Sequence, residues 1–201
     1  QEPGWTAYQS QAFGSIIRQA RLHGTKIILV LRAMDQTTIE TIINRSANQQ
    51  RLIDHIIEVI DLKNLDGINL DFEYAGTPTA PVKNQFTQFV HNLSTQLKHR
   101  YPRLELSIDV FADTATKYRI WDLPQIASSG DQVIIMAYDF YRPSSTTSGP
   151  IAPLYGGCNG RLTLNTAFAW GLDINKYLNN YIKVIPQHKL LLGVPYNRNT
   201  S

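Results

Sequence analysis

Apolar and polar residues switch between two periods along this chain. Around Leu65 to Tyr74 the period is two, with Ile68, Leu70 and Phe72 alternating with Asn69, Asp71 and Glu73. Alternate side chains of a strand take opposite faces, so this stretch predicts one apolar face and one acidic face. Leu104 to Val110 alternates in the same way, with Leu104, Leu106, Ile108 and Val110 set against Ser107 and Asp109. Lys26 to Ala33, Val133 to Tyr138 and Lys189 to Val194 are short apolar runs that read as buried strands. Between the strands the period lengthens to that of a helix. Phe13, Ile16, Ile17 and Ala20 form one stripe, closed by Gly24 as a C-cap would close it. Leu52, Ile53, Ile56, Ile57 and Ile60 form a second, opened by Ser46-x-x-Gln49 as a capping box. Pro81 suits the first turn of a third, over Val82, Phe86, Phe89, Val90, Leu93 and Leu97. A helical turn is expected around Leu123 to Ile126, and a last helix over Ile174, Tyr177, Leu178, Tyr181 and Ile182. Ala75 to Pro81 and Phe140 to Gly160 read as loops from their Gly, Pro, Ser and Thr content. Strands alternating with helices predict parallel βαβ units.

A strand covered by helices should be apolar throughout, so the polar face of Asn69, Asp71 and Glu73 needs a purpose beyond packing. A solvated edge strand is the plain alternative, but the helices expected before and after this strand argue for a central position. Asp71 and Glu73 would stand about 6 to 7 Å apart along the strand. Each then raises the other's proton affinity, which keeps a carboxylic acid protonated toward neutral pH.

Composition narrows the options. A chain of 201 residues, 43% of them hydrophobic, suggests one domain with a real core. Its 19 basic and 16 acidic residues are scattered and leave a net charge of +3, with no basic and aromatic interleaving of the kind that binds nucleic acid. The aliphatic run from Ile27 to Leu31 falls far short of the roughly 20 residues of a membrane span, so none is expected. The single cysteine, Cys158, excludes an internal disulfide and a cysteine-based zinc site. His23, His55, His91, His99 and His188 have no metal-ligand spacing, so neither metal nor cofactor is expected. The opening Gln1-Glu2-Pro3 reads as a trimmed or mature start whose targeting segment is not seen. No feature of the sequence sets an oligomeric state.

The order Asp66-Gly67-x-Asn69-x-Asp71-x-Glu73 resembles the Asp-Gly-x-Asp-x-Asp-x-Glu signature of the family 18 glycoside hydrolases, the chitinases and their relatives. That signature lies on the fourth strand of a (β/α)8 barrel, and Asn69 stands where most members have Asp. Asn at this position is similar to the di-N-acetylchitobiases and the peptidoglycan-acting glucosaminidases of spore-forming bacteria. Met136-Ala137-Tyr138-Asp139 resembles the family's sixth-strand Met-x-Tyr-Asp. Gly149 to Tyr155 resembles the Gly-x-x-x-Pro-Leu-Tyr loop that follows, and Lys189 to Pro195 the seventh strand. The resemblance covers roughly Lys26 to Tyr196 and implies an α/β fold, a partial (β/α)8 TIM barrel holding about strands 3 to 7. Residues 1–201 would then be one incomplete catalytic domain, since a whole barrel takes about 250 residues. Three departures stand out. Leu31-Arg32-Ala33-Met34 replaces the Ser-x-Gly-Gly of many chitinases, none of Trp5, Trp121 and Trp170 matches the eighth-strand Trp, and Tyr196-Asn197-Arg198 differs from the usual aromatic pair after the seventh strand.

The resemblance implies retaining, substrate-assisted hydrolysis of β-linked N-acetylglucosamine glycans, either chitin oligomers or peptidoglycan. In that chemistry the sugar's own 2-acetamido oxygen attacks the anomeric carbon. Glu73 would be the general acid and base, and Asp71 would bond the acetamido N–H and stabilise the oxazolinium-like intermediate. Asn69 would orient Asp71, Tyr138 would steady the acetamido group, and Met136, Asp139 and Tyr196 would be the substrate contacts. Asp66 and Gly67 are taken as structural, paired at a tight turn. Tyr138 is evenly balanced between this role and simple packing, and Met136 is first of all a packing residue. Asp109 could line the cleft or bridge to a helix N-terminus, and stays outside the catalytic set. Phe140, Tyr141 and Tyr155 could stack on sugars or on their own loop. A non-catalytic carbohydrate-binding relative, or a fragment inactive alone, is the alternative; the first commonly loses the final Glu, so Glu73 favours the enzyme. Such a glycan implies an extracellular or cell-envelope location.

Overall fold

Every run predicted as a strand is one: β1 (Ile28–Ala33), β2 (Gly67–Phe72), β3 (Glu105–Phe111), β4 (Gln132–Met136) and β5 (Leu190–Gly193). The structure is a computed structural model and describes residues 10–156 and 172–196. Trp5, Cys158, Trp170, Asn197, Arg198 and the far end of the Phe140 to Gly160 loop therefore lie outside the described residues. All neighbouring strands pair in parallel, in the order β1-β2-β3-β4-β5. The helices are α1 (Gln11–Leu22), α2 (Gln36–Ile43), α3 (Ser46–Lys63), α4 (Ala80–Arg100), α5 (Leu123–Ser129) and α6 (Ile174–Tyr181). Together they make an arc of a (β/α)8 barrel in which β1 and β5 are the edges. Among the described residues, no helix is long and apolar enough to cross a membrane.

Local chemistry explains most of the boundaries. Gly24 takes φ 68° just past α1, where a residue with Cβ would be strained. Thr79 Oγ1 accepts from the Val82 N–H at the start of α4, and Pro81 occupies its first turn. Helix α2 is not foreseen from the sequence. It is a short helix capped by Asp35, whose Oδ2 accepts from the Thr38 N–H at 2.7 Å, and it buries only Ile39 and Ile43. The capping box at Ser46 does not form: Ser46 is already helical and Arg45 holds the N-cap position without a side-chain bond. Gln49 instead turns back and donates to the Ile43 carbonyl at 2.7 Å, joining α3 to α2.

The core lies between the sheet and its helices. Ile68, Leu70, Phe72, Leu106, Ile108, Val110, Val133 and Ile135 are buried on the outer face of the strands, against Ile53, Ile56 and Ile60 of α3 and Phe86, Phe89, Val90 and Leu93 of α4. The Phe72 ring stands 6.2 Å from Phe86 and 6.0 Å from Phe89. On the inner face the edge strands are open, with Val30 54% and Leu191 47% exposed. Lys189 fastens β5 by donating to the Ala127 and Gly130 carbonyls at the end of α5, at 2.6 and 2.8 Å.

Asp66 and Gly67 serve a different purpose from a tight turn. Asp66 Oδ2 accepts from the Ile27 N–H at 2.7 Å, and its carbonyl accepts from Glu105 N–H at 3.0 Å, so it straps together the starts of three strands. Gly67 lies within β2, where a Cβ would stand 2.4 Å from Ile28 Cδ1 and 2.6 Å from the Glu105 carbonyl oxygen. Glycine is required there by close backbone approach, and one of the obstacles is backbone that cannot turn aside. Gly67→Ala should therefore destabilise the fold by about 1 to 3 kcal/mol. The check is urea unfolding, in which the midpoint falls and the slope is unchanged.

Candidate active site

The alternation of β2 carries Asn69, Asp71 and Glu73 to the inner face, opposite the buried Ile68, Leu70 and Phe72. Glu73 lies one residue past the strand. Its N–H donates to the Ala33 carbonyl at 2.8 Å, so the ladder continues and fixes Glu73 at the C-terminal rim. Register does the rest: Arg32 is the strand partner of Asp71, Val30 and Ser107 flank Asn69, and Asp109 follows Ser107 by two along β3.

Asn69 does not orient Asp71. Its Nδ2 donates to Ser107 Oγ and to Asp109 Oδ1, both at 2.9 Å, so the amide is committed to β3. Both amide hydrogens are spent on β3, one on the register partner Ser107 and one on Asp109 a two-residue step further along the same face, so neither is left for Asp71. Asp71 is left with a buried Oδ1 that has no hydrogen-bond partner among the described residues, and with Arg32 Nε at 3.7 Å from Oδ2.

Burial raises the proton affinity of Asp71, and the Arg32 charge partly offsets this. The Glu73 carboxyl is also raised, by burial first and then by the Asp71 charge, with Arg32 and Arg142 acting the other way. Asp109, left out of the sequence-based set, is pushed up to about 6 by burial, helped by the charges of Asp71 and Glu73 and opposed by the Asn69 hydrogen bond. The signal that could have found it was its place on the polar face of the second alternating strand.

Tyr138 sits just beyond β4 and joins the same cluster. Burial raises its hydroxyl, and the charges of Asp109, Asp71, Glu73 and Asp139 raise it further. Gly193 of β5 makes room for the ring, since a Cβ there would stand 2.8 Å from Tyr138 Cε1. Asp139 turns the chain at φ 56° and faces Arg142 Nε at 3.9 Å. Met136 ends β4 between Phe111 and Gly193 and is half-buried on the inner face, the face opposite the buried Val133 and Ile135. Tyr196, three residues past β5, is fully exposed. Trp121 is buried edge-on against Phe111 at 5.0 Å and faces no opening.

Arg119 organises the rim above these groups. Its Nε and Nη2 donate to the two Asp113 carboxylate oxygens at 3.1 and 2.8 Å, and its Nη1 donates to the Ala75 carbonyl at 3.1 Å. One guanidinium thus joins the loop after β2 to the loop after β3.

Asp71, Glu73 and Asp109 thus bring carboxyl groups of raised proton affinity to the inner face, toward the C-terminal ends of parallel strands, the end at which α/β-barrel sites are built. The sequence profile described as glycosyl hydrolases family 18 matches residues 4–201, and the chain belongs to that family. It is 26% identical over 162 residues to chitotriosidase-1 of Mus musculus, covering 75% of this chain and 33% of that protein. It is 28% identical over 170 residues to a class V chitinase of Arabidopsis thaliana, covering 81% of this chain and 41% of that protein. Its fold matches an immunomodulatory active chitinase from Trichuris suis with a TM-score of 0.77 at 20% identity, over 95% of this chain and 52% of that one. The chain thus spans about half the length of that solved structure and a smaller share of the two curated relatives, and the arc is that of a partial (β/α)8 barrel.

The state of Asp109 has a consequence for stability. Its folded value of about 6 lies above the ordinary 3.8, so the protonated form is the one the fold prefers. That preference stabilises fully below about 3.8 and is lost as pH rises through about 6. Asp109→Asn keeps an acceptor for Asn69 and removes the titration. Relative to wild type, the variant should gain thermal stability at pH 7 and not at pH 3.5, as read by melting midpoints at both values. An equal difference at the two pH values would contradict this account.

Proposed function

We propose that residues 1–201 form an incomplete family 18 catalytic domain. In the completed barrel this domain hydrolyses β-linked N-acetylglucosamine oligo- or polysaccharides, chitin oligomers or peptidoglycan, with retention of configuration. The observation that carries the proposal is the pair of Asp71 and Glu73 on the inner face at the C-terminal rim, both with raised proton affinity and with Tyr138 inside the same field.

Glu73 is part-exposed, so a substrate can reach it, and burial with the Asp71 charge raises its proton affinity above the ordinary carboxylate value, which suits an acid that protonates the glycosidic oxygen and then takes a proton from water. The 2-acetamido oxygen of the sugar attacks the anomeric carbon as that bond breaks. Asp71 accepts a hydrogen bond from the acetamido N–H and balances the positive charge that develops. Tyr138 donates its hydroxyl to the acetamido group from the opposite side. Asn69 and Asp109 form the floor beneath, and Asp139 borders the opening. Glycans of this kind lie outside the membrane, which supports an extracellular or cell-envelope location. A carbohydrate-binding role without hydrolysis is disfavoured by the presence of Glu73.

The test is Glu73→Gln in the protein that carries the whole barrel, assayed on a β-linked N-acetylchitooligosaccharide. Loss of the transferable proton at nearly constant shape should lower kcat by about 10²- to 10⁴-fold, while oligosaccharide binding by calorimetry is retained. Unchanged turnover would remove Glu73 from the role of acid.

A further inference from the structure

We propose that Arg32 is a positioning residue for this reaction: its guanidinium, carried beside Asp71 by the neighbouring strand, is the counter-charge that holds Asp71 as an oriented anion. The inference rests on the functional reading above and adds a residue to it.

Geometry supplies the argument. Arg32 and Asp71 are register partners on β1 and β2, so both side chains leave the sheet on the inner face at the same level. Nε of Arg32 stands 3.7 Å from Asp71 Oδ2, and the guanidinium also contacts Met34 Sδ, so it is held on two sides. Among the described residues, Arg32 is the cation that acts on Asp71. On β2 the groups around Asp71 are Asn69 and Glu73, and on β3 Ser107 and Asp109. Tyr138 and Asp139 follow β4, and Arg142 lies in the loop beyond, nearest to Asp139 at 3.9 Å. Asn69 Nδ2 donates both its hydrogens to β3, to Ser107 and Asp109. An amide at 69 also has no proton to share with a carboxylate. Asp71 thus lies among acids, with one oxygen unpartnered among the described residues and one facing Arg32.

The two side chains differ in setting, and this shapes the expected effect. In this arc Asp71 is 15% exposed and Arg32, on the edge strand β1, 60% exposed, so the pair is solvent-screened and its removal is expected to cost the fold little. What remains is electrostatic: the Arg32 charge favours the anionic form of both Asp71 and Glu73. Catalysis needs Asp71 ionised and Glu73 protonated. Without Arg32 both groups hold their protons to higher pH, so the acid and the basic limbs of kcat/KM both move upward.

The experiment compares wild type, Arg32→Gln and Arg32→Lys in the protein with the whole barrel, measuring kcat/KM against pH on an N-acetylchitooligosaccharide. Arg32→Gln should shift both limbs to higher pH, with a several-fold loss of kcat/KM on the acid side and an unchanged melting midpoint, and Arg32→Lys should restore most of the profile. In parallel, carboxyl ¹³C titration of Asp71 should move to higher pH in Arg32→Gln. Superimposable profiles and titrations, or a uniform loss that Lys does not recover, would overturn the proposal. A wild-type protein without hydrolytic activity, but with the Asp71 titration shifted in Arg32→Gln, would overturn the functional reading while leaving the pairing in place.

Discussion

The in-register parallel ladder from β1 to β4 is the constraint on which the rest depends. Burial of Ile68, Leu70 and Phe72 under α3 and α4 fixes which face of β2 looks outward. Because the strand period is two, a slip of one residue would turn Asp71 and Glu73 into the helical layer and Leu70 into the opening. The apolar face therefore does more than stabilise. It decides that Asn69 meets Ser107 and Asp109 on one side and that Arg32 meets Asp71 on the other. Core packing and site geometry are one choice seen from two faces.

The inner face handles its acids in two ways. Asp109, part-buried, answers with a raised proton affinity and a hydrogen bond from Asn69. Asp71, level with it on β2, and Glu73 beyond have Arg32 and Arg142 to temper their charge. Such a cluster works against folding, since buried carboxyl groups are expensive to ionise. The uninterrupted apolar layer on the opposite side of the same strands offsets it.

The fold was legible because each strand announced itself locally. Period-two alternation at Ile68 to Glu73 and at Leu104 to Val110 marked the faces, and helical stripes between them implied parallel pairing. Helix α2 was missed because eight residues with one turn of buried isoleucines leave too short a pattern to stand out. In the site, Asp71, Glu73 and Tyr138 were readable from alternation and motif, and the structure gathers them. The partner of Asn69 was not readable, because it depends on which residue of β3 lies across the ladder, a relation between segments far apart in the chain. Arg32 was noticed only as a departure at the end of a strand, since its meaning lies in the registry with Asp71. Asp66 and Gly67 looked like a turn because Asp-Gly so often is one, and only the crowding by Ile28 and Glu105 shows otherwise.

The Arg119 fork has a mechanical corollary. With one guanidinium bound to Asp113 and to the Ala75 carbonyl, the loops after β2 and β3 share a single fastening. Arg119 and Asp113 both belong to the loop after β3, so the fastening between the loops is the one charged hydrogen bond from Arg119 Nη1 to the Ala75 carbonyl, aimed by the Asp113 carboxylate behind it. Opening of either loop at this point gives up that bond, which couples the protection of two segments distant in sequence. Changes in loop length on one side are transmitted to the other, so the two loops are expected to tolerate insertion as a coupled pair rather than one at a time.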